Sequence, residues 1–169
     1  MRIYSKILIL LFFVCTNSLA DKWSYKKEIN EKEFIFGETK IVRVIDSTKN
    51  DHIPDFQILI YLKGELQAKY RWLSFEHIAS DKTNSTFVAL SNSYLPTNAA
   101  LVFNSKGGLE NVIYHHKAQL EYCNESMTVK QWVSQEDPKI EFIYEKLADG
   151  YEYVKDITFL NCRGERITL

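Results

Sequence analysis

The sequence predicts an all-β fold, either a single antiparallel sandwich or a flattened barrel. Short runs rich in Val, Ile, Tyr, Phe and Thr recur along the chain, and Gly, Asn, Asp and Ser separate them. Hydrophobic residues make up 46% of the 169 residues and aromatic residues 14%, which suffices for a packed core and excludes a disordered protein. We find no internal repeat, linker or low-complexity tract, and therefore expect one domain.

The first twenty residues have the pattern of a removable export signal. Arg2 and Lys6 precede a short apolar run, and Ser18 and Ala20 occupy the small-residue positions of a cleavage site. The run is about half the length of a membrane span, so a permanent anchor is not expected. We therefore expect residues 1–20 to be removed and residues 21–169 to form a single β-rich globular domain. This domain would be periplasmic or secreted, with no membrane insertion after signal removal.

The cysteine number predicts a disulfide, and the net charge argues against a nucleic-acid partner. Removal of the signal would leave two cysteines, and an even pair in an oxidising compartment predicts one structural disulfide between Cys123 and Cys162. The remaining chain would carry 19 basic and 22 acidic residues, so it has no positive field to attract nucleic acid. No nucleic-acid partner is expected.

Twelve strands and one competing helix follow from the pattern of apolar runs. The helix covers Phe142–Ala148 before Gly150, where a strand over Ile140–Tyr144 is the alternative. A hairpin that turns at Arg163-Gly164-Glu165 would be tied to an earlier strand by the disulfide. The predicted strands are Trp23–Glu28, Ile41–Asp46, Phe56–Leu62, Leu66–Leu73, Thr86–Ser91, Ala100–Asn104, Leu109–Tyr114, Gln119–Cys123, Met127–Val133, Ile140–Tyr144, Tyr153–Leu160 and Arg166–Leu169.

The hairpin around Gly64 has two possible registers. A two-residue turn at Lys63-Gly64 would pair Tyr61 with Leu66 and would mix apolar and charged side chains on each face. A three-residue loop, Lys63-Gly64-Glu65, separates them and is therefore favoured, although Glu65 stands where such loops prefer Gly. Its pairs are Leu62 with Leu66, Ile60 with Ala68, Ile58 with Tyr70 and Phe56 with Trp72, which places Tyr61 and Arg71 on the opposite, polar face. A second hairpin is predicted to turn at Ser105-Lys106-Gly107-Gly108.

The chain shows no catalytic or metal motif. Nucleophile elbows, phosphate-binding loops and paired acids at a readable spacing are missing, although a site assembled from distant strands would leave no such trace. His115-His116 is expected at a solvated strand end, since neighbours on a strand point to opposite faces. His52 lies in a polar loop without calcium-site spacing, and His77 has no second ligand nearby. We expect no metal, no cofactor and no enzyme activity.

Surface aromatic residues point to protein binding. Tyr, Trp and Arg are enriched in interface hot spots. Tyr61, Arg71, Trp23 and Tyr25 fall on predicted outward or terminal positions. The turn Ser91–Pro96 carries Tyr94 and Leu95 with no strand to bury them. The alternative is that Tyr94 and Leu95 fold back and plug one end of the sandwich.

These features predict an exported inhibitor that binds a protein partner, such as an immunity protein that neutralises a toxic effector in the cell envelope. The predicted binding residues are Tyr94, Leu95, Tyr61 and Arg71. Two alternatives stay open. The first is a secreted adhesin-like or envelope-assembly module. The second is a small-ligand carrier or a hydrolase whose site the sequence does not reveal.

Overall fold

The computed structural model describes residues 26–49, 53–93, 95, 97–117, 120–126 and 129–169. In these ranges the chain forms thirteen β-strands and no helix. The predicted export signal, the predicted strand residues Trp23–Tyr25 and the histidine His52 lie outside the described residues. The strands are β1 (Ile29–Phe36), β2 (Thr39–Asp46), β3 (Asp55–Leu62), β4 (Glu65–Arg71), β5 (His77–Ser80), β6 (Thr86–Leu90), β7 (Asn98–Asn104), β8 (Leu109–Tyr114), β9 (Asn124–Glu125), β10 (Lys130–Gln131), β11 (Glu141–Lys146), β12 (Glu152–Leu160) and β13 (Arg166–Thr168).

Three antiparallel meander sheets lie face to face in the order of the chain. The first contains β1–β4, the central one β5–β8 and the third β11–β13, and β9 and β10 form a separate two-stranded pair. The predicted sandwich is therefore confirmed, whereas the alternative of a flattened barrel is wrong. The sheets are open because the first and last strands of each meander do not pair.

The central sheet is buried on both faces. Phe87 and Ala89 of β6 point into the core shared with the first sheet, whereas Val88 and Leu90 point into the core shared with the third. Successive side chains of a strand alternate between faces, so a strand covered on both sides needs an unbroken apolar run. The sequence Phe87–Leu90 provides it.

The hairpin of β3 and β4 combines the two predicted registers. Its turn is the two-residue one at Lys63-Gly64, both with positive φ, so the favoured three-residue loop is wrong. A bulge between Ile60 and Tyr61 then restores the favoured register, with Ile60 opposite Ala68 and Ile58 opposite Tyr70.

Two residues of this hairpin depart from the predicted apolar face. Leu66 lies on the turn side of the bulge and is 52% exposed. Trp72 follows the end of β4 with φ 62°, and its side chain is 54% exposed. The bulge and the left-handed backbone conformation each break the simple alternation on which the prediction rested.

The second hairpin is confirmed. The four residues 105–108 join β7 to β8, and Asn104 Oδ1 accepts hydrogen bonds from the amides of Lys106 and Gly108. Gly107 has φ +81°, and a Cβ there would lie 2.5 Å from that of Ala68 in the first sheet. The turn therefore requires glycine because it packs against the neighbouring sheet.

The predicted helix over residues 142–148 is wrong, and the strand alternative is correct. Residues 141–146 form β11, which pairs with β12, and Phe142 packs into the core below the third sheet. The run Phe142-Ile143-Tyr144 favours a strand, and residues 147–150 form the turn to β12. Tertiary pairing with a nine-residue neighbour decides between the two conformations.

Several other strand predictions differ from the structure. The charged β1 and the four-residue β5, both at sheet edges, were not predicted. The predicted strand Gln119–Cys123 has no strand among its described residues, and Met127–Val133 contracts to β10 with isolated bridges at Val129 and Val133. Edge strands carry less apolar patterning because one or both faces meet water.

The predicted disulfide is present. Cys123 and Cys162 are joined, 39 residues apart in the sequence. Cys123 precedes β9, and Cys162 lies in the turn between β12 and β13, so the bond ties the terminal hairpin to the β9–β10 pair. Both backbones meet the same segment, since the amide of Cys123 donates to Gln131 and that of Cys162 donates to Trp132.

The described part of the chain contains no helix with the length and hydrophobicity needed to cross a bilayer.

Candidate binding face and cleft

The outward face of the β1–β4 sheet carries two of the four predicted binding residues. Ile60 and Tyr70 point into the core, so their neighbours Tyr61 and Arg71 point outward. Both lie on the face where the sequence placed them. Gln57 pairs with Arg71 and is four residues from Tyr61, which separates the two side chains by about 13 Å along the strands.

One row of side chains crosses this face through all four strands. Strand pairing places Ile35 beside Lys40, Lys40 beside Tyr61 and Tyr61 beside Leu66. Ile35 is 71% exposed. We call these four residues the Tyr61 row.

Charged contacts hold the Tyr61 row in place. Lys40 Nζ lies 5.0 Å from the centroid of the Tyr61 ring and 3.1 Å from a carboxylate oxygen of Glu33. At the other end of the face, Arg71 pairs with Asp55 at 3.3 Å. Exposed pairs of this kind add little to stability.

Leu95 lies on another part of the molecule. It is half-buried in the loop between β6 and β7, which belong to the central sheet, and Tyr94 lies outside the described residues. The structure therefore brings Tyr61 and Arg71 onto one face and does not bring Leu95 to it.

A cleft lies beside the start of β5, the edge strand of the central sheet. Two neighbouring cavities of about 520 and 330 Å³ are both lined by Glu76 and His77. Phe34 of β1 and Pro138, in the segment before β11, line the larger cavity. The free edge of β5 therefore faces a cleft between β1 and the segment before β11.

Glu76 is a half-buried carboxyl group of the cleft with a raised pKa. Its Oε2 accepts a hydrogen bond from the amide of Asn92 at 2.7 Å. Burial raises the pKa of Glu76, while the Asn92 and Ser91 hydrogen bonds and the charge of Arg43 oppose that rise. A carboxyl group with a raised pKa in a cleft is a candidate for a functional role.

The neighbouring groups of the cleft are shifted in the opposite direction. Burial lowers the pKa of the His77 imidazole, and the charge of Lys32 adds to this effect, so His77 is neutral at pH 7. Hydrogen bonding from Lys139 lowers the pKa of Asp137, which is exposed and remains ionised. The sequence analysis found no second metal ligand near His77 and could not detect that burial.

A second groove of about 510 Å³ lies between the β5–β6 loop and the β11–β12 hairpin. Lys82 stacks over the Tyr144 ring at 4.1 Å, its amide donates to the Tyr144 hydroxyl at 2.8 Å, and its ammonium pairs with Glu152. These contacts connect the central and third sheets.

His115 corrects the expectation of a solvated strand end. Its side chain is 3% exposed, its ring centroid lies 5.9 Å from that of Tyr122, and burial lowers its pKa to about 4. His116 is exposed, as expected. The difference arises because the chain folds Tyr122 over the end of β8, which the local sequence could not show. Among the described residues, no group of three His, Cys, Asp or Glu side chains is arranged to hold a metal ion.

No protein-family model matches the chain, and comparisons with curated proteins and with solved structures find no significant match.

Proposed function

We propose that the protein is exported and binds another protein, and that it acts as an inhibitor, such as an immunity protein, of an effector in the cell envelope. The observation that carries this proposal is the Tyr61 row. It presents an aromatic ring and two aliphatic side chains, Ile35 at 71% and Leu66 at 52% exposure, at the hairpin end of the outward sheet face. Tyr is enriched in interface hot spots, and exposed apolar patches rimmed by polar residues mark interaction sites.

The size of the face sets what the partner must contact. Four strands about 4.8 Å apart and about 26 Å long offer roughly 500 Å². A stable interface buries about 800 Å² on each partner. The partner must therefore also contact the loops beside the sheet, and the turns at Gly37 and Gly64 flank the Tyr61 row.

The disulfide supports export. Disulfides form and persist in oxidising compartments, and the Cys123–Cys162 bond is of the structural kind that links distant parts of a chain. It is in keeping with the export signal expected at residues 1–20.

The proposal is tested by capture with paired variants. The tagged protein is incubated with envelope extracts of the source cells and with extracts of competing cells, and bound proteins are identified by mass spectrometry. Tyr61→Ala combined with Leu66→Ser should abolish capture of the specific partner. Tyr151→Ala, which removes an exposed aromatic group from the β11–β12 hairpin, should not.

The purified partner then decides between inhibition and mere attachment. We expect a one-to-one complex and loss of the partner's activity or toxicity when the complex forms. A partner bound equally by the double variant would refute the role of the Tyr61 row. A blank in all extracts would favour the small-ligand alternative, for which the cleft at Glu76 is the place to search.

A further inference from the structure

The smaller cavity of the cleft is built around a single charged side chain. Its volume is about 330 Å³, and the described residues that line it are Glu76, His77, Asn92, Ser93, Val129 and Gln135. Glu76 is the one acid among them, and His77 is neutral at pH 7. The other polar lining groups are amides and a hydroxyl, which donate or accept hydrogen bonds without charge.

The cavity is held in shape by backbone contacts. Ser93 and Val129, from two different segments, form an antiparallel bridge at its rim. The Asn92 amide fixes the orientation of the Glu76 carboxyl group from the same segment as Ser93. The loop that carries the predicted binding residue Leu95 therefore begins at this rim.

No cation of the described residues forms an ion pair with Glu76. Arg43 approaches from the core side, but its guanidinium donates to the Phe75 carbonyl at 2.8 Å and to Asn30. In the larger cavity Asp137 pairs with Lys139, and Glu141 pairs with Arg166 outside it. The charged and titratable groups that surround Glu76 are Arg43 on β2, Lys32 on β1, His77 on β5, and Glu136, Asp137, Lys139 and Glu141 before and at the start of β11.

We propose that the smaller cavity is a receptor for one arginine side chain of the protein partner. The guanidinium would pair with the Glu76 carboxylate and donate to the neutral polar groups of the wall, while its aliphatic stem would pack against Val129. A guanidinium is weakly hydrated and carries five donors, so it suits a half-buried carboxylate better than an ammonium does. The cavity could hold about ten waters at about 30 Å³ each, and displacing them makes room for such a side chain.

The identity of this occupant rests on the proposed function, but the cavity can be tested alone. The probe is N-acetyl-L-arginine methylamide, titrated into the purified protein and followed by backbone NMR. The control probe is the citrulline analogue, which is nearly isosteric and uncharged. We expect shifts at Glu76, Asn92 and Ser93 with the arginine probe, and binding of the citrulline probe weaker by about ten-fold or more.

Two variants and the pH dependence complete the test. Glu76→Gln should weaken the arginine probe by about ten-fold or more, whereas Glu136→Gln, which alters only the larger cavity, should stay within about two-fold. In the unaltered protein, affinity should rise between about pH 5 and about pH 8, because the raised pKa of Glu76 leaves part of it protonated at the acidic end.

Three outcomes would overturn the proposal: equal binding of the two probes, unchanged binding by Glu76→Gln, or no shifts up to about 50 mM probe. Tyr61→Ala should leave probe binding unchanged. Failure of the cavity and failure of the outward face to bind a partner are therefore distinguishable.

Discussion

The side chain of Asn92 holds the backbone of Trp132. Its Oδ1 accepts hydrogen bonds from the amides of Trp132 at 2.9 Å and Val133 at 3.0 Å, and its Nδ2 donates to the Val133 carbonyl at 3.1 Å. The Trp132 indole returns a bond to the Ser91 carbonyl at 2.8 Å. One buried side-chain amide thus joins the end of β6 to Trp132 and Val133, which pack into the core between the central and third sheets.

Replacement of this amide should be costly. Asn92→Ala leaves two buried amides and one buried carbonyl without their partners, and each such group costs about 1–3 kcal/mol. We expect a loss of about 3 kcal/mol or more in the free energy of unfolding, measured by urea denaturation. Asn111→Ala, at an exposed position of β8, is the matched control and should stay within about 0.5 kcal/mol. Similar values for the two variants would contradict the bridging role.

Substitutions on either face of the central sheet should destabilise the protein. Phe87→Ala opens a cavity in the core shared with the first sheet, and Leu90→Ala opens one in the core shared with the third sheet. Each should lower the free energy of unfolding by about 2–5 kcal/mol. Ile35→Ala on the exposed edge strand should change it by about 0.5 kcal/mol or less. Chemical denaturation of the three variants checks the pattern. A tolerant Leu90 would mean that the third sheet packs only loosely.

Removal of the disulfide should destabilise the protein without changing its fold. The bond joins cysteines 39 residues apart, for which chain entropy predicts a contribution of about 4 kcal/mol. Cys123→Ala with Cys162→Ala should lose about 2–4 kcal/mol in denaturant titrations and should no longer respond to a reductant. Mass spectrometry after alkylation should find neither Cys123 nor Cys162 as a free thiol in the unaltered protein. Two free thiols would refute the bond.

Acid should weaken the fold through His115. The pKa of its ring is about 4 in the folded protein and 6.5 for an ordinary histidine, so the unfolded chain binds the proton first as pH falls. This contribution is fully present above about pH 6.5 and is lost towards about pH 4. Between about pH 7.5 and about pH 4.5 it should amount to about 2–3 kcal/mol.

A variant isolates this effect from other titrating groups. The raised pKa of Glu76 acts in the opposite sense, since an acid of this kind favours the folded state at low pH. The comparison is therefore between the unaltered protein and His115→Asn, whose stability should vary less with pH. His116→Asn, at the exposed neighbouring position, should retain the full dependence. An unchanged dependence in His115→Asn would exclude this histidine as the cause.

The strands with apolar faces could be predicted from sequence, because their buried positions hold the β-branched, aromatic and other apolar residues that favour strands. Thr86–Leu90 and Leu109–Tyr114 illustrate this. β1 was not predicted because its Glu31-Lys32-Glu33 segment is exposed and has no apolar pattern. This edge strand is stabilised by its pairing with β2. Phe142–Ala148 was misassigned for a related reason, because pairing with β12 outweighs local preference.

The candidate site was only partly predictable. The outward direction of Tyr61 and Arg71 follows from period-two alternation, and the bulge at Ile60 and Tyr61 preserves it. The burial of Glu76 depends on the loop at Asn92 and on the segment before β11, which are distant in the sequence. Local patterns carry no information on such meetings, and an acidic residue that follows an apolar run was the one available signal.

The stacking of three meanders in chain order has a consequence for how the molecule assembles. Each sheet pairs strands that are neighbours in the sequence, so contacts within a sheet are local and cost little loop-closure entropy. The last meander, within residues 141–169, covers the apolar side of β6 and β7 that faces away from the first sheet. A chain in which this meander has not docked exposes that apolar side and is prone to aggregate. Because Cys162 lies in the last meander, oxidation of the pair with Cys123 should report its docking.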